Sequence, residues 1–174
     1  ALSAQDDPTR GIGAARDWLY EQFQEVAKTS DGRMTVEVQT FEQQPGRFPR
    51  LAAPTKVTNI VATLRGTQPE SADRIYVVSG HYASMPGSPV DGETDAPGAN
   101  DDASGTAVSM ELACVMARHH YDATLVFMAV AGEEQGLYGS AGWAKSAGAN
   151  RPPGGRAYSA ITQRPGTSIS TAPT

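Results

Sequence analysis

The chain has 174 residues, which is the size of about one domain. Hydrophobic residues make up 39% of it, and no apolar run approaches the roughly 20 residues that a membrane span needs. The net charge of −5 argues against a nucleic-acid partner, and the single cysteine, Cys114, excludes a disulfide framework or a cysteine-rich zinc module.

Apolar periodicity divides the chain into alternating helices and strands. The predicted helices are 14–27 and 104–118, and the predicted strands are 34–41, 57–64, 75–79 and 124–131. In the second helix Val108, Leu112 and Val115 are expected to face inward. The last strand is almost wholly apolar, which is typical of a central strand covered on both faces. This alternation indicates a layered α/β fold.

Two segments lack any periodicity. Residues 82–100 form a long stretch rich in Gly, Pro and Asp, and a loop of this length inside a compact domain is usually functional or disordered. Residues 146–174 are rich in Gly, Pro, Ser and Thr and contain few large apolar side chains. Such a segment buries too little surface to offset the entropy of ordering. We therefore expect a folded domain over 1–145 and an irregular tail over 146–174.

Acidic side chains are concentrated in one part of the sequence. Between Asp91 and Glu134 there are nine carboxylates and one Lys or Arg, Arg118. Such a stretch is either a solvated acidic face or a negative pocket that holds cations. Composition alone leaves both interpretations open.

Five of the residues that can carry chemistry lie near predicted strand ends. His81 follows the third strand, Glu133 and Glu134 follow the fourth, and Asp101 and Asp102 precede the second helix. In an open α/β sheet, ligands bind outside the carboxyl ends of the strands. Imidazole and carboxylate groups delivered to that edge can surround a divalent metal such as zinc.

Each of these residues also has an ordinary structural explanation. A lone histidine after a strand is commonly a hydrogen-bonded surface residue, acidic residues before a helix commonly cap it, and paired glutamates in a loop are commonly solvated. Their joint placement beside glycines is what favours a metal site.

At these positions the sequence resembles peptidase family M28, the zinc metallopeptidases of the two-zinc aminopeptidase type. The similarity extends over about 13–145. The segments that carry it are NIVATL (59–64), VSGHY (78–82), APGANDDASG (96–105) and FMAVAGEEQGLYGS (127–140).

The resemblance implies a three-layer α/β sandwich with a mixed, mostly parallel sheet. It implies two zinc ions, with His81 on the first, Glu134 on the second and Asp101 bridging both, and it makes Glu133 the general base. It further assigns supporting positions to Asp102 and Ser104, and a cis peptide bond between residues 101 and 102.

The substrates implied are peptide or protein N-termini, whose first peptide bond a metal-activated water would cleave. No nucleic acid is expected as a partner, and the sequence gives no oligomeric state. For bacterial members the resemblance implies a secreted or periplasmic location, although this chain begins at Ala1 without a leader.

Two departures from the family pattern limit these expectations. The family usually has Asp where this chain has Ala83, so the His81 ring is expected to lack its carboxylate support, a loss that can cost about 10- to 100-fold in metal affinity. The family also has later Asp and His ligands, whereas no Asp or His follows Asp122.

We therefore expect a C-terminally truncated metallopeptidase domain with weak metal binding and aminopeptidase activity near background. The alternatives are a non-catalytic metal- or peptide-binding remnant and, less well supported, the one-zinc glutaminyl-cyclase branch of the fold.

Overall fold

A computed structural model describes residue 2, residues 4–46, 50–71 and 73–149, and the backbone of 157–161. The helices are α1 (Gly11–Ala27), α2 (Ser104–Met116), α3 (Glu133–Gly136) and α4 (Tyr138–Ala149). The strands are β1 (Met34–Gln43), β2 (Thr55–Leu64), β3 (Ile75–His81), β4 (Thr124–Val130) and β5 (Ala157–Ile161). Within the described residues, no helix has the length and apolar character needed to cross a membrane.

The five described strands form one sheet in the order β1-β2-β4-β3-β5. β2 is antiparallel to both of its neighbours, whereas β3 pairs in parallel with β4 and with β5. Four of the five strands therefore run in the same direction, and β2 alone opposes them. This is the mixed, mostly parallel sheet that the sequence predicts.

Helices cover both faces of this sheet. Alternate residues of β2 point to opposite faces, so Ile60 and Ala62 pack in a cluster with Phe23 of α1 while Val61 packs in a second cluster with Trp143 of α4. Phe23 is completely buried, which contributes about 1.5 to 3 kcal/mol of hydrophobic stabilisation. The two clusters establish the three-layer α/β sandwich.

Helix α2 packs against the sheet through its smallest side chains. Gly105 and Ala113 are buried, whereas Val108 and Val115 are 44% and 52% exposed. Of the three residues predicted to face inward, Leu112 packs against the core, and the prediction is wrong for Val108 and Val115. The reason is close approach: a Cβ atom on Gly80 of β3 would overlap the backbone of Gly105. Only small residues fit where helix and strand lie this near to each other.

The structure differs from the expectation of an irregular tail after residue 145. Helix α4 continues to Ala149, and β5 pairs in parallel with β3 along Ile75–Ser79. Composition reflects apolar area but not the N–H and C=O groups along the edge of β3, with which the backbone of β5 pairs. Residues 150–156 and 162–174 lie outside the described part of the chain.

Candidate metal centre

The candidate site lies where β3 and β4 end. These strands are parallel and in register, with His81 opposite Val130, so His81 lies beside the segment that leads to Glu133 and Glu134. Asp101 lies in the turn Ala99–Ala103, directly before α2, which packs on the same two strands. The topology thus delivers all of these side chains to the carboxyl edge of the sheet.

His81, Asp101 and Glu134 converge at this edge. Each offers one ligand atom, and the three atoms lie within 4.8 Å of one another. His81 Nε2 is 3.1 Å from Asp101 Oδ1 and 3.7 Å from an Oε2 atom of Glu133. The imidazole is 2% exposed, whereas the carboxylates are partly accessible, so the site opens to solvent on its acidic side.

The His81 ring is held from its other nitrogen. Its Nδ1 lies 2.8 Å from the backbone carbonyl oxygen of Ala83, so the N–H of that nitrogen donates to the carbonyl and Nε2 is left for a ligand. The backbone of Ala83 thus takes the supporting place that its side chain, lacking the family's carboxylate, cannot fill. A main-chain carbonyl two residues away provides a hydrogen bond to the ring, and a carbonyl is a common partner of metal-binding histidines.

Asp102 supports the site by binding backbone groups. Its carboxylate accepts a hydrogen bond from the His81 N–H at 3.1 Å and another from the Gly105 N–H at 2.9 Å. Burial raises the pKa of Asp102, and these two hydrogen bonds oppose that rise. The 101–102 peptide bond is cis, as the resemblance implies. The Ser104 hydroxyl donates to the Asn100 carbonyl, so its described hydrogen bond stays within its own turn.

Glu133 and Glu134 begin a short helical turn after β4. Gly132 enters this turn at φ 72°, in the left-handed region that favours glycine. Burial, followed by the negative charge of Asp101, raises the pKa of Glu134. Arg50 donates a hydrogen bond of 2.7 Å from Nη1 to the Glu134 backbone carbonyl.

This donor set fits zinc. Zinc sites in proteins are built from imidazole nitrogen and carboxylate oxygen at about 2.0 to 2.2 Å from the ion, and catalytic sites commonly have three protein ligands and one open position. The described site offers one imidazole and two carboxylates on one edge of the sheet. Burial is the main cause of the raised pKa of Glu134, and the negative charges of Asp101 and Glu133 add to it; a bound cation would offset those charges.

Comparison with known proteins agrees with this geometry. The sequence pattern of peptidase family M28 matches residues 59–161, which is more than half of the chain. The chain belongs to peptidase family M28. This M28 match continues to the end of β5, so the similarity does not stop near residue 145 as the sequence motifs suggested.

Curated relatives of this M28 chain include probable zinc metalloproteases from two fungi. The protein from Pyricularia oryzae is 56% identical over 140 residues, which are 80% of this chain and 27% of that protein. The one from Pyrenophora teres f. teres is 54% identical over 139 residues, covering 80% and 30%. The chain thus spans about three tenths of the length of the relatives it matches.

Solved structures share the fold. Glutaminyl cyclase from Porphyromonas gingivalis superposes with a TM-score of 0.64 at 19% identity, over 90% of this chain and 51% of that one. A Zn-dependent exopeptidase from Parabacteroides distasonis gives 0.58 at 18% identity, over 87% and 53%. At these identities the similarity establishes the α/β architecture alone.

Three features of the M28 site have no signal in the sequence. The Ala83 carbonyl acts through its backbone, which no side-chain pattern reveals. Arg50 lies in a proline-rich stretch outside the motifs. Gln135 lies within the 127–140 motif, but the motif gives no indication that its side chain donates to the Pro89 carbonyl at 3.3 Å. Only the fold brings these groups to the site.

Proposed function

We propose that this chain is the metal-binding part of a zinc-dependent aminopeptidase, which hydrolyses the first peptide bond of a peptide or protein. The observation that carries the proposal is the convergence of His81, Asp101 and Glu134 beside Glu133 at one edge of the sheet. Membership of family M28 and the zinc metalloprotease relatives support zinc as the metal and peptides as substrates.

In this proposal His81, Asp101 and Glu134 would be the residues that hold the zinc. When bound, zinc lowers the pKa of a water molecule and polarises a carbonyl group. Glu133, whose carboxylate lies 3.7 Å from the His81 ring, would be the general base that takes up a proton beside the metal and returns it to the leaving amine. Asp102 contributes by holding the main chain of His81 rather than by touching substrate.

Recognition of an N-terminus also follows from charge. The described site gathers the partly accessible carboxylates of Asp101, Glu133 and Glu134 around one imidazole, and Glu133, which is not among the proposed metal ligands, can accept a hydrogen bond from a substrate amino group. Export from the cell, which the resemblance implies, stays a prediction.

The first test is zinc binding by the chain itself. Zinc should raise the unfolding temperature, because a ligand that binds only the folded state at 100 times its Kd stabilises it by about 2.7 kcal/mol. His81→Ala should abolish that rise, whereas Ser104→Ala, which removes only the hydrogen bond to Asn100, should retain it. A rise that survives loss of His81 would overturn the metal site.

The second test is hydrolysis of a leucine anilide with added zinc. Glu133→Gln should keep zinc binding and eliminate whatever turnover the wild-type chain shows. Zinc uptake with no turnover in either protein would favour the non-catalytic metal-binding alternative. Cyclisation of an N-terminal glutaminyl peptide without anilide cleavage would favour a glutaminyl cyclase.

A further inference from the structure

Asn59, the first residue of the NIVATL segment, has no role in the proposed chemistry but is completely buried at the site edge of β2. Its side-chain Nδ2 donates to the Gly139 carbonyl at 2.9 Å and to Gln39 Oε1 at 3.0 Å. Its Oδ1 accepts from the Ala131 N–H at 3.3 Å. One amide thus joins three separate parts of the chain.

Two of these contacts lie at the ends of one turn. The segment from Ala131 to Gly139 leaves β4, carries Glu133 and Glu134, and enters α4. Its two ends meet directly, because the Gly139 N–H donates to the Ala131 carbonyl at 2.9 Å. The Ala131 N–H and the Gly139 carbonyl lie beside this bond, at the base of the turn, and the Asn59 amide binds both.

The two main-chain groups at the base of the turn are best matched by a side-chain amide. A donor and an acceptor must be supplied together, and Asn provides both from one short side chain. Gln39 accepts the second N–H of Asn59, which fixes the orientation of the amide. A Cβ atom at Gly139 would overlap the Asn59 Oδ1 and the Ala131 carbonyl, so the close approach also requires glycine there.

We propose that Asn59 is a positioning residue that holds the 131–139 turn closed and thereby sets where Glu133 and Glu134 stand relative to His81. The part that concerns metal rests on the proposed function. Loss of the Asn59 amide leaves the Ala131 N–H and the Gly139 carbonyl without their side-chain partner. The turn should then loosen while the strands on either side stay paired.

Amide hydrogen exchange of the metal-free chain tests the positioning directly. In Asn59→Leu, which keeps most of the volume and removes the hydrogen bonds, exchange in 131–139 should be at least about tenfold faster, with 60–64 and 125–129 unchanged. Gln39→Leu, which removes only the orienting contact, should accelerate the same segment by a smaller factor. If Asn59→Leu does not fold, Gln39→Leu decides the question alone.

Ser30→Ala is the matched control. Ser30 is also fully buried, and its hydroxyl donates to the Ala27 carbonyl and accepts from the Met34 N–H. It lies at the opposite end of the sheet, since Met34 pairs with Leu64 whereas Gln39 pairs with Asn59. This control should leave exchange in 131–139 unchanged. Equal acceleration of the whole sheet by Asn59→Leu, or no acceleration, would overturn the proposal.

Zinc affinity of the same variants tests the consequence for the site. Competition with a chromophoric chelator should show about tenfold weaker zinc binding in Asn59→Leu and less than twofold change in Ser30→Ala. Selective loosening with unchanged affinity would disprove the link between Asn59 and metal. If the wild-type chain binds no zinc, the proposed function fails, and the exchange result still decides whether Asn59 holds the turn.

Discussion

The two halves of the candidate site are held in place in different ways. On the β3 side, the functional residues support one another: Asp102 binds the His81 main chain, and the His81 ring contacts Asp101 and the carbonyl two residues further on. On the β4 side, Glu133 and Glu134 are held from outside. Arg50 donates to the Glu134 carbonyl, and Asn59 donates to the Gly139 carbonyl where the turn ends. Gln135 ties the turn to the Pro89 carbonyl of another loop.

This difference concerns which residues support the candidate ligands. On the β3 side, the residues at 81–83 and 101–102 are both the candidate ligands and one another's supports. On the β4 side, the turn that carries Glu133 and Glu134 also depends on Asn59 and Arg50, which are more than 70 residues away in sequence. Substitutions on the β3 side should therefore affect folding and metal binding together, whereas those around the β4 side should separate the two.

The largest effect is expected from Gly80→Ala on the β3 side. The added methyl group would overlap the backbone at Gly105 and Thr106, so α2 must move away from the sheet. We expect a loss of about 3 kcal/mol or more in the free energy of unfolding, measured by urea denaturation. Gly46→Ala is the control, because a Cβ atom there meets nothing within 4 Å. Equal stability of the two variants would show that the contact between β3 and α2 is not tight.

Asp102→Ala should have the next largest effect. It leaves the buried N–H groups of His81 and Gly105 without their carboxylate acceptor, which costs about 2 to 3 kcal/mol in the free energy of unfolding. Zinc affinity should fall in the same variant, because the His81 main chain loses its anchor. Reduced stability with unchanged zinc affinity would contradict the self-supporting character of this half.

Glu134→Gln should separate stability from metal binding on the β4 side. Because the pKa of Glu134 is raised, the folded chain binds the proton more tightly than the unfolded chain does. Protonated Glu134 therefore stabilises the folded chain fully below the ordinary glutamate pKa of about 4.3. This stabilisation is lost as the pH rises through the raised pKa of Glu134 in the folded chain. The glutamine variant avoids this loss.

We therefore expect metal-free Glu134→Gln to be more stable than wild type at pH 7 by at most about 1 kcal/mol, since the carboxylate is partly solvated. The advantage should disappear near pH 4. Urea denaturation at both pH values measures it, and zinc uptake should be lost at pH 7. A variant less stable than wild type at pH 7 would contradict the unfavourable burial of the Glu134 charge beside Asp101.

The smallest effect is expected from Arg50→Ala. Its guanidinium binds the Glu134 carbonyl at an exposed position, where such a contact contributes less than about 1 kcal/mol. Stability should change by no more than about 0.5 kcal/mol, and zinc affinity by less than threefold. Isothermal titration with zinc measures the second quantity. A tenfold loss of affinity would place Arg50 among the essential supports of the turn.

Much of this fold is readable from sequence because its signals are local. The β-branched residues in 57–64 and the apolar run at 124–131 predict β2 and β4 to within one or two residues. The ligand side chains are equally readable, since His81 and the two glutamates directly follow strands. What hydrophobicity could not predict is how near two elements lie, which is why Val108 and Val115 were placed on the wrong face of α2.

The tail and the supports of the β4 turn were not predictable for a related reason. A strand such as β5 forms because a neighbouring edge offers unpaired main-chain groups, a property of β3 rather than of residues 157–161. Likewise the Ala83 carbonyl and the Asn59 amide act through contacts that exist only after the chain has folded.

The reversed direction of β2 has a consequence for how this site can diversify. The other described strands bring their ends to the acidic edge, but β2 brings its beginning, so the residues that precede it, Arg50 among them, arrive over Glu134. Insertions and deletions before Thr55 would reshape the rim of the site without moving a ligand. The approach to the candidate metal centre and the centre itself are thus built from separate segments of the chain, so the sequence of one can change without moving the other.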